Sequence, residues 1–191
     1  REVLRTAFQG MYEMEQQMLD LYDKMGDATP EELDKMMNTV GEIQSELEHS
    51  GFYSLDAKIE EVANGLGLGS VGLDRDVADL SGGQRSKVLL TKLLLQNSNI
   101  LLLDEPTNYL DVEHIEWLTK FLQNYEHAFI LISHDITFLN NVVNVIYHLE
   151  NSNLTRYTGD YNRFQEMYAI YKSQQEAAYE RQQQEVAKLE D

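Results

Sequence analysis

Cysteine is absent from this sequence, which rules out disulfides, thiolate metal sites and a cysteine nucleophile. Basic residues are scarce: 15 Lys plus Arg face 33 Asp plus Glu, a formal net charge of -18. A free nucleic-acid binder draws most of its affinity from neutralising phosphates, so direct DNA or RNA binding is not expected, nor is attachment to an anionic lipid surface. Long hydrophobic runs are missing too. The longest, around Leu93 to Leu95 and Ile100 to Leu103, fall far short of the ~20 residues a spanning helix needs. No membrane segment is expected, no signal peptide is visible, and the cytoplasm is the expected location. What the chain does have is 42% hydrophobic and 25% charged residues over 191 positions, enough for a packed core. It opens on Arg1 in a segment that already reads as mid-helix, so a piece of a larger protein is expected.

Apolar residues fall in sevens from Leu4. Leu4, Met11, Met18 and Met25 form one series, with Ala7, Met14 and Leu21 interleaved, the a/d seam of a long coiled-coil-like helix. Gly26-Asp27-Ala28 breaks it. Thr29 then reads as an N-cap with Pro30 at the first helical position and Glu32 completing a capping box. Leu33, Met36, Val40, Ile43 and Leu47 repeat the seam up to Ser50-Gly51, so the two helices predict an antiparallel hairpin. A shorter helix is expected from Ser54 to Asn64, and a Gly-rich stretch follows from Gly65 to Gly72.

The middle of the chain changes style. A helix is expected from about Gly83 to Leu95, then a buried strand, Ile100 to Asp104, and a helix opened by Asp111. A second apolar strand covers Ala128 to Ser133. Strand, helix, strand in that order predicts a parallel α/β unit. Val145 to Leu149 and Leu154 to Tyr157 read as a closing β-hairpin, and Gly159 to Asp191 as one last helix. That helix has an aromatic stripe at Tyr161, Phe164, Tyr168 and Tyr171, and a polar end that should leave the globule.

Three stretches carry chemistry, and a fourth only imitates it. Gly67-Leu68-Gly69-Ser70-Val71-Gly72 satisfies G-x-G-x-x-G, but a dinucleotide site needs a strand before it and a helix after it, so this is read as a loop. Leu80-Ser81-Gly82-Gly83-Gln84 sits at the mouth of a helix with Arg85 and Lys87 just inside. Two glycines admit a close ligand, Ser81 offers a hydroxyl, and the helix start presents amides, parts that suit a terminal phosphate. Ile100 to Leu103 then leads into Asp104-Glu105-Pro106-Thr107-Asn108-Tyr109-Leu110-Asp111. Asp104 can hold Mg²⁺ through water and Glu105 can polarise an attacking water. Ser133-His134-Asp135 places an imidazole at the next strand end.

This order resembles the ATP-binding cassette superfamily. Leu80 to Gln84 looks like its signature motif, Ile100 to Glu105 like its Walker B strand with the catalytic glutamate, Leu110-Asp111 like its D-loop and His134 like its switch histidine. The wording Asp-Glu-Pro-Thr-Asn-x-Leu-Asp resembles the soluble ABC-F proteins, which carry two cassettes on one chain and act on ribosomes. The helical hairpin is similar to their arm, and Tyr157-Thr158-Gly159-Asp160-Tyr161 to their end-of-cassette phrase. The fold implied is α/β, a partial P-loop NTPase sheet with an inserted helical hairpin and a long C-terminal helix. On that reading residues 1–50 are the hairpin, 51–98 a helical subdomain with the signature motif, 99–160 the α/β core, and 161–191 a helix that starts the inter-cassette linker.

The resemblance implies ATP and Mg²⁺ as cofactors, a second cassette of the same chain as partner, and the ribosome as the larger partner. Ser81, Gly82, Gly83 and Gln84 would grip ATP held by the other cassette, with Asp111 also at the nucleotide. Asp104, Glu105 and His134 would act on this cassette's own ATP. One departure limits this: no G-x-x-x-x-G-K-[ST] occurs in the 191 residues, so Walker A is missing and the chain alone is expected to be inactive. Tyr109 also stands where the family commonly has His. Three alternatives stay open: the nucleotide-binding subunit of a membrane transporter, a chromosome-condensation type ATPase, and a non-catalytic interaction module. The acidity is uneven. Up to Gly72 there are 15 acids and 5 bases, and afterwards 18 and 10. The hairpin is therefore expected to meet basic protein surface before RNA.

Overall fold

A computed structural model describes residues 1–190, and the side chains of residues 1–186. The chain forms two compact units. The first comprises residues 1–118 and 125–131, the second residues 119–124 and 132–191.

The first unit opens with α1 (Glu2–Arg5), a 3₁₀ turn at Thr6–Phe8, and α2 (Gln9–Met25). One unbroken helix from Leu4 was the expectation, and it is corrected here. Leu4 is buried, Phe8 packs toward the base of the hairpin, and the Thr6 hydroxyl donates to the Val3 carbonyl at 2.7 Å. That side-chain bond competes with regular helix bonding, and the tighter turn reorients the chain before α2 begins. α3 (Pro30–His49) returns antiparallel to α2 and starts on its capping box: the Glu32 carboxylate accepts from the Thr29 amide at 2.9 Å and from its hydroxyl at 2.6 Å. Ala7, Met11, Met14, Met18, Leu21 and Met25 are half-buried along one side, and Leu33, Met36, Val40, Ile43 and Leu47 are half-buried or buried along the other. The heptad pattern thus marks the packed face of each helix. The base is the firmest part: Leu47, Phe52 and Leu55 are buried together, with the Tyr12 ring edge-on to Phe52 at 5.2 Å. Each such fully buried side chain is worth about 1.5–3 kcal/mol.

α4 (Leu55–Gly65) buries Leu55, Ile59 and Val62. Arg5 makes a bidentate pair with Asp56, and Arg1 reaches Glu60 at 2.8 Å, so the start of the chain is tied to this helix. α5 (Gly82–Leu95) buries Val88, Thr91, Leu94 and Leu95. β1 (Ile100–Asp104) and β2 (Ala128–Ile132) are neighbours in a two-stranded sheet, with α6 (Val112–Gln123) between them in sequence. The expectation of a buried strand holds for only one face of β1. Leu101 and Leu103 are buried, whereas Ile100 and Leu102 are 62% and 66% exposed. A continuous apolar strand is buried throughout only when both sheet faces are covered. Here the described residues cover one.

The second unit contains α7 (Ile136–Val142), β3 (Val145–Glu150), β4 (Asn153–Thr158) and α8 (Tyr161–Glu190). β3 and β4 pair antiparallel from Val145↔Thr158 to Glu150↔Asn153. Their two-residue turn puts Asn151 and Ser152 at φ 49° and 63°, the double positive φ of a type I′ hairpin. Asp160 then caps α8, its Oδ1 accepting from the Arg163 amide at 2.8 Å. Phe164 is buried beside Tyr157, and the Tyr168 ring meets His148 at 4.7 Å, so the aromatic stripe is what seats the first turns of α8. Beyond Tyr168 the described side chains of α8 are exposed. Among the described residues the fold is mixed α/β, mostly helical with two small sheets.

Candidate functional site

The mouth of α5 is built by a reciprocal cap. Ser81 Oγ accepts from the Gln84 amide at 3.2 Å, and the Gln84 side-chain oxygen accepts from the Ser81 amide at 3.0 Å. The first intrahelical bond runs from the Arg85 amide to the Ser81 carbonyl at 2.9 Å. The box therefore serves the amides of Ser81 and Gln84 and does not reach those of Gly82 and Gly83, two of the donors every helix start leaves over. Ser81 accepts in the cap, so its own O–H stays available to donate. Arg85 Nε donates to the Leu80 carbonyl at 3.0 Å and fixes the residue before the turn, while Leu80 itself is buried. The two glycines differ. A side chain on Gly82 would project into open space, whereas a Cβ on Gly83 would lie 3.1 Å from Cδ1 of Tyr109.

At the carboxyl end of β1, Asp104 is exposed and Glu105 half-buried. Glu105 has φ 47° and Tyr109 φ 67°, both in the left-handed region. Such backbone costs about 1–3 kcal/mol at a non-glycine residue and concentrates at working sites. The turn between them is held by the Asn108 amide to the Glu105 carbonyl and the Leu110 amide to the Thr107 carbonyl, each at 3.1 Å, with Pro106 and Thr107 buried beneath. Asp111 starts α6, its carbonyl accepting from the His114 and Ile115 amides at 2.9 and 3.0 Å. A cleft of about 260 Å³ runs from Ser86 and Lys87 on α5 to Asp104, Glu105 and Tyr109. Asp104 and Glu105 line this cleft, Ser81 to Gln84 stand at the mouth of α5 where Gly83 meets Tyr109, and Asp111 opens α6.

His134 lies in the second unit, exposed, one residue past Ser133 and before α7. Asp135 is the N-cap of α7, its Oδ1 accepting from the Phe138 amide at 3.0 Å. α7 was not foreseen from the sequence. Asp135 followed by Ile136, Phe138, Leu139 and Val142 was the available signal: a cap and a short apolar face. The G-x-G-x-x-G stretch is a loop, as expected: α4 precedes it, and the next element is a 3₁₀ turn at Val77–Asp79. Gly67 within it and Gly65 just before it serve packing, whereas Gly72 has open space around it. Cβ atoms on Gly65 and Gly67 would fall within 2.1 Å of Trp117 and 2.4 Å of His114 on α6. His114 Nδ1 lies 3.1 Å from the Gly65 carbonyl, an oxygen that only accepts, so this nitrogen carries the proton.

A sequence profile described as ABC transporter matches residues 6–108, more than half of the chain, and a second of the same description matches residues 147–191. The chain belongs to the ABC transporter family. It is 61% identical over all its 191 residues to the uncharacterized ABC transporter ATP-binding protein YfmM of Bacillus subtilis, covering 37% of that protein. It is 40% identical over 133 residues, 70% of the chain and 24% of the relative, to the energy-dependent translational throttle protein EttA of Mycobacterium tuberculosis. The chain therefore spans about a quarter to a third of the length of these relatives. The homologues YheS and EttA, each about 40% identical to it, are of ABC-F type. Among solved structures, RNase-L Inhibitor aligns at a TM-score of 0.49 and 26% identity over 66% of this chain and 26% of that one.

ABC cassettes bind ATP, and the residues here fit a phosphate and its metal. Gly82 has open space where a side chain would be, so a ligand can approach the helix start there, with Arg85 and Lys87 supplying positive charge nearby in the sequence. No group of three or more His, Asp or Glu side chains able to hold a metal occurs among the described residues. Magnesium needs none, since it takes one or two carboxylates and keeps waters and phosphate oxygens for the rest; Asp104 is the residue that would hold it. Among the described residues no helix is long and apolar enough to cross a membrane.

Proposed function

We propose that this chain is the arm-to-linker part of a first cassette in a twin-cassette ATPase of ABC-F type, which couples ATP binding and hydrolysis to action on the ribosome. The observation that carries the proposal is the mouth of α5, where the capping box takes up the amides of Ser81 and Gln84 but not those of Gly82 and Gly83. The EttA relative's name, with its translational throttle, supports the ribosomal direction. The half-buried, acidic α2–α3 hairpin is the arm on this reading, and α8 begins the inter-cassette linker.

In the intact protein, Ser81 Oγ and the amides of Gly82 and Gly83 donate to the γ-phosphate of ATP held mainly by the second cassette, with Gln84 holding the turn and Asp111 beside the nucleotide. Asp104 would hold magnesium through water, and the ion would supply charge neutralisation at the phosphates of this cassette's own ATP. Glu105 accepts a hydrogen bond from the attacking water and aligns it, and His134 contacts the γ-phosphate. Catalysis is then positioning plus stabilisation of developing charge. Closure around ATP shifts arm and linker, which converts the chemistry into movement.

The test is Glu105→Gln in the full-length protein. Steady-state ATP hydrolysis should fall about 100-fold or more, and the variant should co-sediment with ribosomes in ATP. Unchanged turnover would sink the role of Glu105, and absence from the ribosome fraction would sink the ABC-F assignment of function. The 191-residue chain by itself, lacking a Walker A sequence, should show no measurable hydrolysis; micromolar Mg-ATP affinity by calorimetry would overturn that.

A further inference from the structure

Tyr109 is 69% exposed and its backbone sits at φ 67°. An exposed ring gains little from burial, and a tyrosine in the left-handed region carries a conformational cost. Neither fact explains the residue by itself. Its contact does: the flank of the ring and its Cβ lie 3.1–3.4 Å from where a Cβ on Gly83 would be, which is the contact face of that glycine. Gly83 is in the first turn of α5, between the Ser81 cap and Gln84. Tyr109 belongs to the turn held by the Asn108–Glu105 and Leu110–Thr107 bonds. The ring therefore bridges the phosphate-facing turn and the turn that carries Glu105 and leads to Asp111. Gly82, one residue earlier, has nothing within 4 Å of a built Cβ and stays open to a ligand.

We infer that Tyr109 is a positioning residue for ATP hydrolysis: its ring, seated on Gly83, fixes the signature turn against the Glu105–Leu110 turn. This rests on the ATPase reading above. The left-handed backbone aims the ring at α5, and the missing side chain of Gly83 makes room for it. Loss of the ring leaves both motifs intact but lets the distance between them vary. Primary binding of each ATP rests on a Walker A loop and not on either of these turns, so the loss falls on the closed, reacting arrangement more than on affinity.

In the full-length protein, Tyr109→Ala should lower kcat about tenfold with KM changed less than about threefold, because small misplacements of positioned groups cost rate steeply. Tyr109→Phe keeps the ring and should stay within about twofold of wild type. Tyr109→Gly removes the ring and the backbone strain together; it should be as slow as the alanine variant while its unfolding midpoint is no lower than wild type. On that background Gly83→Ala should cost less in unfolding midpoint than it does on wild type, since the ring it meets is gone. Hydrolysis by the Ala and Gly variants within twofold of wild type overturns the inference. So does a loss carried wholly by KM, or a Phe variant as slow as Ala, which would move the role to the hydroxyl. A wild type without hydrolysis, or Glu105→Gln equal to wild type, instead overturns the ATPase reading, and this inference with it.

Discussion

α3 and α5 open on the same reciprocal box, Thr29 with Glu32 and Ser81 with Gln84, and differ in the two residues enclosed. At α3 these are Pro30 and Glu31, so one amide is missing and a carboxylate stands at the second. At α5 they are Gly82 and Gly83, with Arg85 and Lys87 following. A helix start attracts anions through its free amides and dipole. Pro30 and Glu31 cancel that attraction at α3, and the glycines and cations keep it at α5. The capping box is thus a structural device in both places, and the residues inside it decide whether the helix mouth is also a site.

The largest effect should come from exchanging those residues. Gly82→Pro with Gly83→Glu in the full-length protein should reduce ATP hydrolysis at least about 100-fold, by removing one donor, adding a negative charge and driving a side chain into Tyr109. The reciprocal pair, Pro30→Gly with Glu31→Gly, should leave hydrolysis within about twofold and lower stability by about 1 kcal/mol in urea unfolding. Equal losses of activity from the two exchanges would break the comparison. Next in size are the caps themselves. Thr29→Ala and Ser81→Ala should each cost about 1 kcal/mol of stability, but only Ser81→Ala should also slow hydrolysis, about tenfold, because its hydroxyl has a second use.

The smallest difference is in acid. The Glu32 carboxyl is held below its ordinary range by the hydrogen bond from the Thr29 hydroxyl and then by that from the Thr29 amide. A lowered folded-state pKa adds stability that is present above the unfolded pKa and lost as pH falls through the folded one. Acidification below the ordinary value of 4.5 should therefore loosen the first turn of α3, and Glu32→Gln should remove that dependence. Gln84, being neutral, contributes none to the box of α5. Amide NMR intensities in the two first turns, followed from pH 6 to pH 3, would show whether they part in this way.

Much of this was readable because the signals are local. The turn at Gly26, the cap at Thr29, the heptad faces, the hairpin around Asn151 and the cap at Ser81 each depend on residues a few positions apart. The run from Asp104 to Asp111 was legible for another reason: its wording resembles a family's, and the profile matches agree with that family. The misses were of a different kind. Periodicity carried the first helix straight through Thr6–Phe8, since a 3₁₀ break driven by one side-chain bond and a distant packing base leaves the apolar spacing intact. α7 is short, and its cap hid inside a segment read for His134.

The sequence alone therefore determined the order of most helices and strands, though not α7 or the break at Thr6–Phe8, as well as where most of them begin, the family and the candidate chemistry. These follow from hydrogen bonds and periodicities that span less than about two helical turns. Only the tertiary structure decided which face of β1 is covered, that Gly65 and Gly67 exist to admit Trp117 and His114, and that Tyr109 rests on Gly83. Those contacts join residues far apart in the chain. No propensity encodes them; they arise when packed elements bring remote side chains within van der Waals reach.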